Sequence, residues 1–325
     1  MNAITVPVGA RPSRLSGDLK ALLSRLAAVA AICVALSFAS DAFFTTNNIL
    51  NVLRQASLMF LLASGLTLVI ITAGLDLSVG ANAGLSACLA ASVMKATGSP
   101  ILGALAGIGV GTGVGFANGL LVTYLRIPPF IATYGSLWII HGVTYWWMAG
   151  STIHGFPPAF RALGSGYWLG IPIPVYLMFL FLAIGTGFAR FTTYGQEIYA
   201  LGANPVAARL SGIPIRSRLI LVYTVSGATA GLASLIFLAR LNSAEGDIGE
   251  NLTLPAIAAV LIGGTSLFGG VGTVSGTLVG ALILTLVLNG MNLLTINANW
   301  QPLVTGVIVI LAVFLDMLTR RKRKN

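Results

Sequence analysis

Few residues in this sequence could do covalent chemistry, and they do not cluster. The 325 residues include 8 acids, 2 histidines and 2 cysteines. Cys33 and Cys88 both sit inside apolar runs, where a thiol serves as a small apolar filler. No disulfide, C-x-x-C pair or metal-ligand cluster is expected. A phosphate-cradling G-x-x-x-x-G-K-[ST] loop is missing, and no lysine stands in such a context. The chemistry left is hydrogen bonding. Asn82, Asn118, Asn289 and Asn292 lie in or beside apolar runs. Their amides suit a neutral polyol, which asks for hydrogen bonds without net charge, and they equally suit bridges between helices. Ser78, His141, Thr265 and Ser266 join them as candidates for the lining of a solute path.

Two glycine-rich breaks frame these groups. In "TAGLDLSVG" Asp76 stands between Gly74 and Gly80, with Ser78 close by. A carboxylate there can cap the start of the next helix, whose dipole favours negative charge. A gating role or a contact with a partner is the alternative. "IGGTSLFGGVGTVSG", residues 262–276, reads as close helix packing or a broken helix around a cavity, in preference to a phosphate loop. Gly107, Gly109, Gly111, Gly113 and Gly115 give a slim helix surface of the same kind. Asp76, His141 and Asp316 are the main titratable groups inside apolar runs, too few for a proton relay.

The elements that must position these groups are set by composition. The chain is 56% hydrophobic and 8% charged, against about 25% charged for a soluble domain. Its solvent is largely lipid. A spanning helix needs roughly 20 apolar residues, and ten candidate runs fit: 26–44, 56–74, 79–95, 101–123, 130–149, 173–189, 219–239, 255–268, 272–290 and 302–318. The third and eighth are short for a full crossing. Alternating ten-residue strands are missing, which argues against a barrel. The expected fold is a single all-α polytopic membrane domain over residues 1–325, with about 10 transmembrane helices and some short re-entrant or broken ones. The first run is read as a retained span, not a cleaved signal.

Lysine and arginine placement sets the orientation. With both termini inside, the inner side holds Arg11, Arg14, Lys20, Arg25, Arg126, Arg190, Arg209, Arg216, Arg218, Arg320, Arg321, Lys322, Arg323 and Lys324. The outer side holds only Arg54, Lys95, Arg161 and Arg240. The net charge of +10 therefore flanks apolar runs and does not indicate nucleic acid. Residues 1–25 form a polar inner segment and 319–325 a basic inner tail. Trp146, Trp147, Trp168 and Trp300 fall at interfacial depths.

One long polar segment interrupts this pattern, at 190–218. In "NPVAARLSG" Asn204 is placed as a helix N-cap and Pro205 at the first helical position. Gly212 stands where a left-handed C-terminal residue is wanted. The upstream piece "GQEIYALG" reads as a second short helix closed by Gly202. Val206 and Leu210 share a face, and Ala207 and Ala208 keep the profile slim. So short a helix needs a partner to hold it. A surface loop remains the plain alternative.

"YALGANPVAARLSGI", "YTVSGATAGLASLIFLARLNSA", "AIAAVLIGGTSLFGGVGTVSGTLVGALIL", "GLDLSVG" and "IPPFIATYGSLWIIHG" together resemble the membrane permease of ribose-type sugar ABC importers. The resemblance runs from about residue 45 to the basic tail. It implies that the segment from Gln196 to Gly212, with Glu197, Tyr199, Leu201, Gly202, Asn204, Pro205, Ala207, Ala208, Arg209 and Leu210, docks into a separate ATP-hydrolysing subunit. It further implies a second permease copy or a related permease, and a periplasmic sugar-binding protein that carries specificity. ATP and Mg would be used by the partner ATPase, with no cofactor on this chain. The inner membrane of a bacterium is the implied location. Arg161, Arg240, Glu245 and Asp247 are candidates for docking the binding protein. His141 replaces an arginine common in the family, and an acid usual near Thr253 and Pro255 is missing. A branched-chain amino acid permease and a self-sufficient secondary carrier are the alternatives.

Overall fold

The computed structural model describes residues 14–324. Thirteen α-helices account for most of them: α1 (Arg14–Ala39), α2 (Thr46–Ile71), α3 (Val79–Thr97), α4 (Pro100–Thr123), α5 (Pro129–Met148), α6 (Pro158–Ser165), α7 (Ile173–Phe191), α8 (Thr193–Ala203), α9 (Pro205–Leu210), α10 (Ile215–Leu241), α11 (Thr253–Ile262), α12 (Val274–Leu293) and α13 (Gln301–Lys324). The chain is an all-α membrane bundle. By length and composition α2, α4, α7, α10 and α12 are each able to cross a membrane.

Each expected run overlaps a helix, but several ends move: α1 stops at Ala39, short of 44, and α2 begins at Thr46, well before 56. The eighth run is not helical to residue 268. α11 stops at Ile262 and residues 263–273 are irregular. Ten residues rise about 15 Å, half of a bilayer's hydrocarbon core. The paired glycines end it: Gly264 adopts φ +80 and turns the chain so that the Thr265 amide returns to the Val260 carbonyl at 3.2 Å. At the other end of the chain, α1 begins at Arg14, so the later part of the polar segment 1–25 extends the first helix. Residues 1–13 lie outside the described residues. The basic run 320–324 continues α13.

α2 is the centre of the bundle, buried along most of its length and packed by α7, α10, α11 and α12. A buried hydroxyl pair, Thr67 and Thr277 at 2.7 Å, ties it to α12. α4 lies on α10 through glycine. A methyl group at Gly111 would stand 2.6 Å from the Gly227 carbonyl oxygen, whereas Gly109 and Gly113 face open space. Every second member of the glycine series therefore makes the contact, as the helical repeat requires, and no side chain could be inserted there.

A long-range two-stranded ribbon and a short hairpin close one end. β1 (Ile153–His154) pairs with β4 (Ser243–Ala244), and β2 (Tyr167–Trp168) pairs with β3 (Ile171–Pro172). α8 and α9 lie at the opposite end of α10.

Candidate functional site

The α8–α9 element is built as its punctuation demands. Thr192 caps α8, its hydroxyl accepting from the Gly195 amide at 3.0 Å. Asn204 ends α8 and starts α9; its Oδ1 accepts from the amides of Val206 at 3.0 Å and Ala207 at 3.1 Å. Pro205 occupies the first turn, where no amide is needed. Gly212 takes φ +80 and closes α9.

Gly202 does not close α8, which runs on to Ala203. It is instead buried against α2, where an added methyl group would overlap the Ile71 carbonyl oxygen. Close approach, not chain reversal, is its reason for being glycine.

The element has an inner and an outer face. Ile198, Leu201 and Ala208 are buried. Val206 and Leu210 are 70% and 84% exposed, with Ala207, Arg209 and Gln196 also outward. Of the alanine pair, only Ala207 could meet a partner. Glu197 is ion-paired with Arg218 at the start of α10, and the Arg218 guanidinium lies 4.3 Å from the Tyr194 ring centre.

Sequence reasoning treated this element and the 263–273 glycine loop as separate features. The structure joins them. Tyr199 Oη donates to the Gly272 carbonyl at 2.7 Å, and the Gly270 amide donates to the Ile71 carbonyl at 2.8 Å. Gly270 also abuts Ala203 closely. The paired φ-positive glycines 269 and 270 were the available signal, since they mark a loop pressed against another backbone.

A polar network lies at the α2–α3 break. Asp76 is 1% exposed. Its Oδ1 accepts from the Ser78 amide at 3.0 Å and the Ser78 hydroxyl at 2.7 Å, and its Oδ2 accepts from Ser226 at 2.9 Å. Asn118 donates to Ser78 at 2.8 Å and accepts from Ser136. The chain Ser226–Asp76–Ser78–Asn118–Ser136 thus links α10, the break, α4 and α5. Three hydrogen bonds satisfy a carboxylate that burial would otherwise penalise. Asp76 thus holds the Ser78 amide where α3 starts, and a second cap comes from α11: Thr253 accepts from the Gly80 amide at 3.1 Å and donates to the Leu77 carbonyl at 3.3 Å. Thr253 is therefore a neutral cap between α11 and α3.

The other path candidates do not converge. Asn82 donates to the Gly111 carbonyl at 3.0 Å. Asn289 and Asn48 exchange amide hydrogen bonds at 2.8 and 3.2 Å, and exposed Asn292 accepts from Gln301 at 3.0 Å. His141 stacks on Tyr145 within an aromatic series along α5. Ser266 donates to Asp316 at 2.7 Å, and the buried Thr265 hydroxyl has no hydrogen-bond partner. At the hairpin end, Glu245 and Asp247 line a cavity of about 270 Å³ together with Glu250 and Tyr145. Arg161 is exposed on α6, and Arg240 is half-buried, donating to Asn51 at 3.2 Å.

Comparison with known proteins decides what this arrangement belongs to. Residues 48–313 match a family described as the branched-chain amino acid transport system / permease component. The ribose import permease of Escherichia coli K12 is 40% identical over 303 residues, covering 92% of this chain and 93% of that protein. The chain belongs to this family of ABC importer permeases. The ribose import permease of Bacillus subtilis is 39% identical, covering 88% and 89% of the two chains. The D-allose transport system permease of Escherichia coli K12 is 37% identical, covering 89% and 90%. No solved structure matches the permease.

Proposed function

We propose that the chain is the membrane-spanning subunit of an ATP-driven importer that carries a monosaccharide, a pentose or hexose, across a bacterial inner membrane. Kinship to ribose and allose permeases over nine-tenths of the chain is the observation that carries this reading. Ten crossings with both termini inside fit the arginine and lysine distribution. α8 and α9 then face the cytoplasm and offer Val206, Ala207 and Leu210 to an ATPase subunit, which supplies ATP and Mg chemistry. A second permease copy and a sugar-loaded binding protein on the hairpin end complete the complex.

Mechanism follows from the contacts of α8. A push on the exposed face of α9 passes through Asn204 into α8. It reaches the α2 end at Gly202 and Ile71, and the glycine loop at Tyr199 and Gly272. α11 ends where that loop begins, and its Thr253 holds the start of α3. Displacing α8 therefore shifts two helix breaks together. That is the rearrangement alternating access needs around a central path. No step is covalent.

An uptake panel tests the substrate class. The complex reconstituted with its ATPase and binding protein is offered labelled ribose, allose, galactose and leucine. ATP-dependent uptake of one sugar over leucine supports the proposal; uptake of leucine alone overturns it in favour of the amino acid reading, which the family description keeps in view.

A further inference from the structure

Among the described residues, Arg54 and Arg240 at the hairpin end form no ion pair. Arg240, in the last turn of α10, reaches Asn51 on α2, one helical turn before Arg54, so the two positive charges stand near one another. Arg240 has one amide contact, from Nη2 to Asn51 Oδ1 at 3.2 Å. Arg54 lies under the Tyr167 ring, 5.0 Å from its centre, and its Nε and Nη2 are buried without a hydrogen-bond partner. Buried guanidinium donors left unpaired are costly, and a second cation beside them adds repulsion. An anion from outside the chain relieves both costs.

Beside them opens a groove of about 170 Å³. Gln55, Ser234 and Arg240 are its polar lining; the rest is apolar, with Leu58, Leu62 and Phe237 prominent. The order along the helices is informative. Leu58 and Leu62 lie one and two turns beyond Arg54 on α2, and Phe237 lies a turn back from Arg240 on α10. Charge therefore stands at the hairpin end, and the apolar wall runs toward the middle of the bundle. Tyr167 and Trp168, both exposed, sit above it as interfacial aromatics do. A sugar acid would set its hydroxyls against leucine and phenylalanine. Among the described residues no carboxylate lines the groove, so an amino acid's ammonium would find no counter-charge.

We infer that this groove holds an anionic lipid, its phosphate on Arg240 with the Arg54 charge behind it, and the start of an acyl chain along Leu58, Leu62 and Phe237. The bidentate geometry of guanidinium suits a phosphodiester, and the pair selects for net negative charge.

Native mass spectrometry of the full chain tests this. The protein, purified in neutral detergent, is incubated with equal amounts of phosphatidylglycerol and phosphatidylcholine of matched acyl chains. The wild type should retain phosphatidylglycerol roughly tenfold over phosphatidylcholine, and Arg54→Gln and Arg240→Gln should each remove most of that preference. If a glutamine variant fails to fold, the lysine variants decide: Arg240→Lys keeps the charge but loses the fork and several-fold of the preference, whereas Arg54→Lys keeps the charge and the preference. Equal retention of the two lipids by the wild type overturns the proposal, as does an unchanged preference in the glutamine variants or in Arg240→Lys. The same holds if inorganic phosphate, glucuronate or leucine, in the absence of lipid, stabilises the wild type but not Arg240→Gln. Equal retention is also the outcome expected if an acidic side chain of a docking protein is the true occupant. No transport is measured, so the result is independent of the import reading.

Discussion

Tyr199 Oη and the Gly272 carbonyl meet at 2.7 Å, and that bond joins the α8–α9 element to the loop that ends α11. With Gly202 seated on Ile71, it makes α8 a shared neighbour of two helix breaks. These contacts, with the Glu197–Arg218 pair and the chain connection from α9 to α10, are routes by which a force on α9 enters the bundle.

Removing the Tyr199 hydroxyl should weaken transmission without unfolding the chain. Tyr199→Phe forfeits one hydrogen bond, about 1 kcal/mol. Sugar uptake by the assembled complex should fall several-fold while ATP hydrolysis persists. Equal losses of both would show that the bond serves folding alone.

Adding bulk at Gly202 should destabilise the protein itself. Gly202→Val drives a side chain into the Ile71 carbonyl, and overpacking of this kind costs about 1–3 kcal/mol. A lowered thermal midpoint in detergent is expected. A wild-type midpoint would mean that α8 and α2 are not in contact.

The two alanines of α9 should part company. Ala207 faces outward and Ala208 is 3% exposed. Ala207→Trp should abolish co-purification with the ATPase and leave thermal stability unchanged, whereas Ala208→Trp should lower stability by about 1–3 kcal/mol. The same phenotype for both would contradict the assigned faces.

At the other break, Thr253→Val should cost about 1 kcal/mol by stripping the Gly80 amide of its acceptor, and Thr253→Ser should restore it. Thermal unfolding of the three proteins gives the answer. No difference between valine and serine would deny Thr253 the capping role.

Helix positions and the α9 caps were legible in the sequence because they rest on local rules. Asn204, Pro205 and Gly212 each satisfy or excuse backbone groups within a few residues. The parts that were not legible are long-range. Gly202 was misread as a stop signal because a glycine near a helix end usually is one; only the approach of α2 shows otherwise. Asp76 was read as a cap for α3 and does accept from the Ser78 amide where α3 starts, but the Gly80 amide goes to Thr253, on α11, which the sequence did not show. The asparagines left two readings open, and five hydrogen bonds to neighbouring elements now occupy Asn82, Asn118 and Asn289.

The most direct measurement is labelled-sugar uptake into proteoliposomes holding the permease, its ATPase and its binding protein, for wild type and Ala207→Trp. Uptake in the wild type that requires ATP, and its loss in Ala207→Trp, is the result expected. Full uptake in the variant would contradict the account, as would uptake by this chain alone on a proton or sodium gradient.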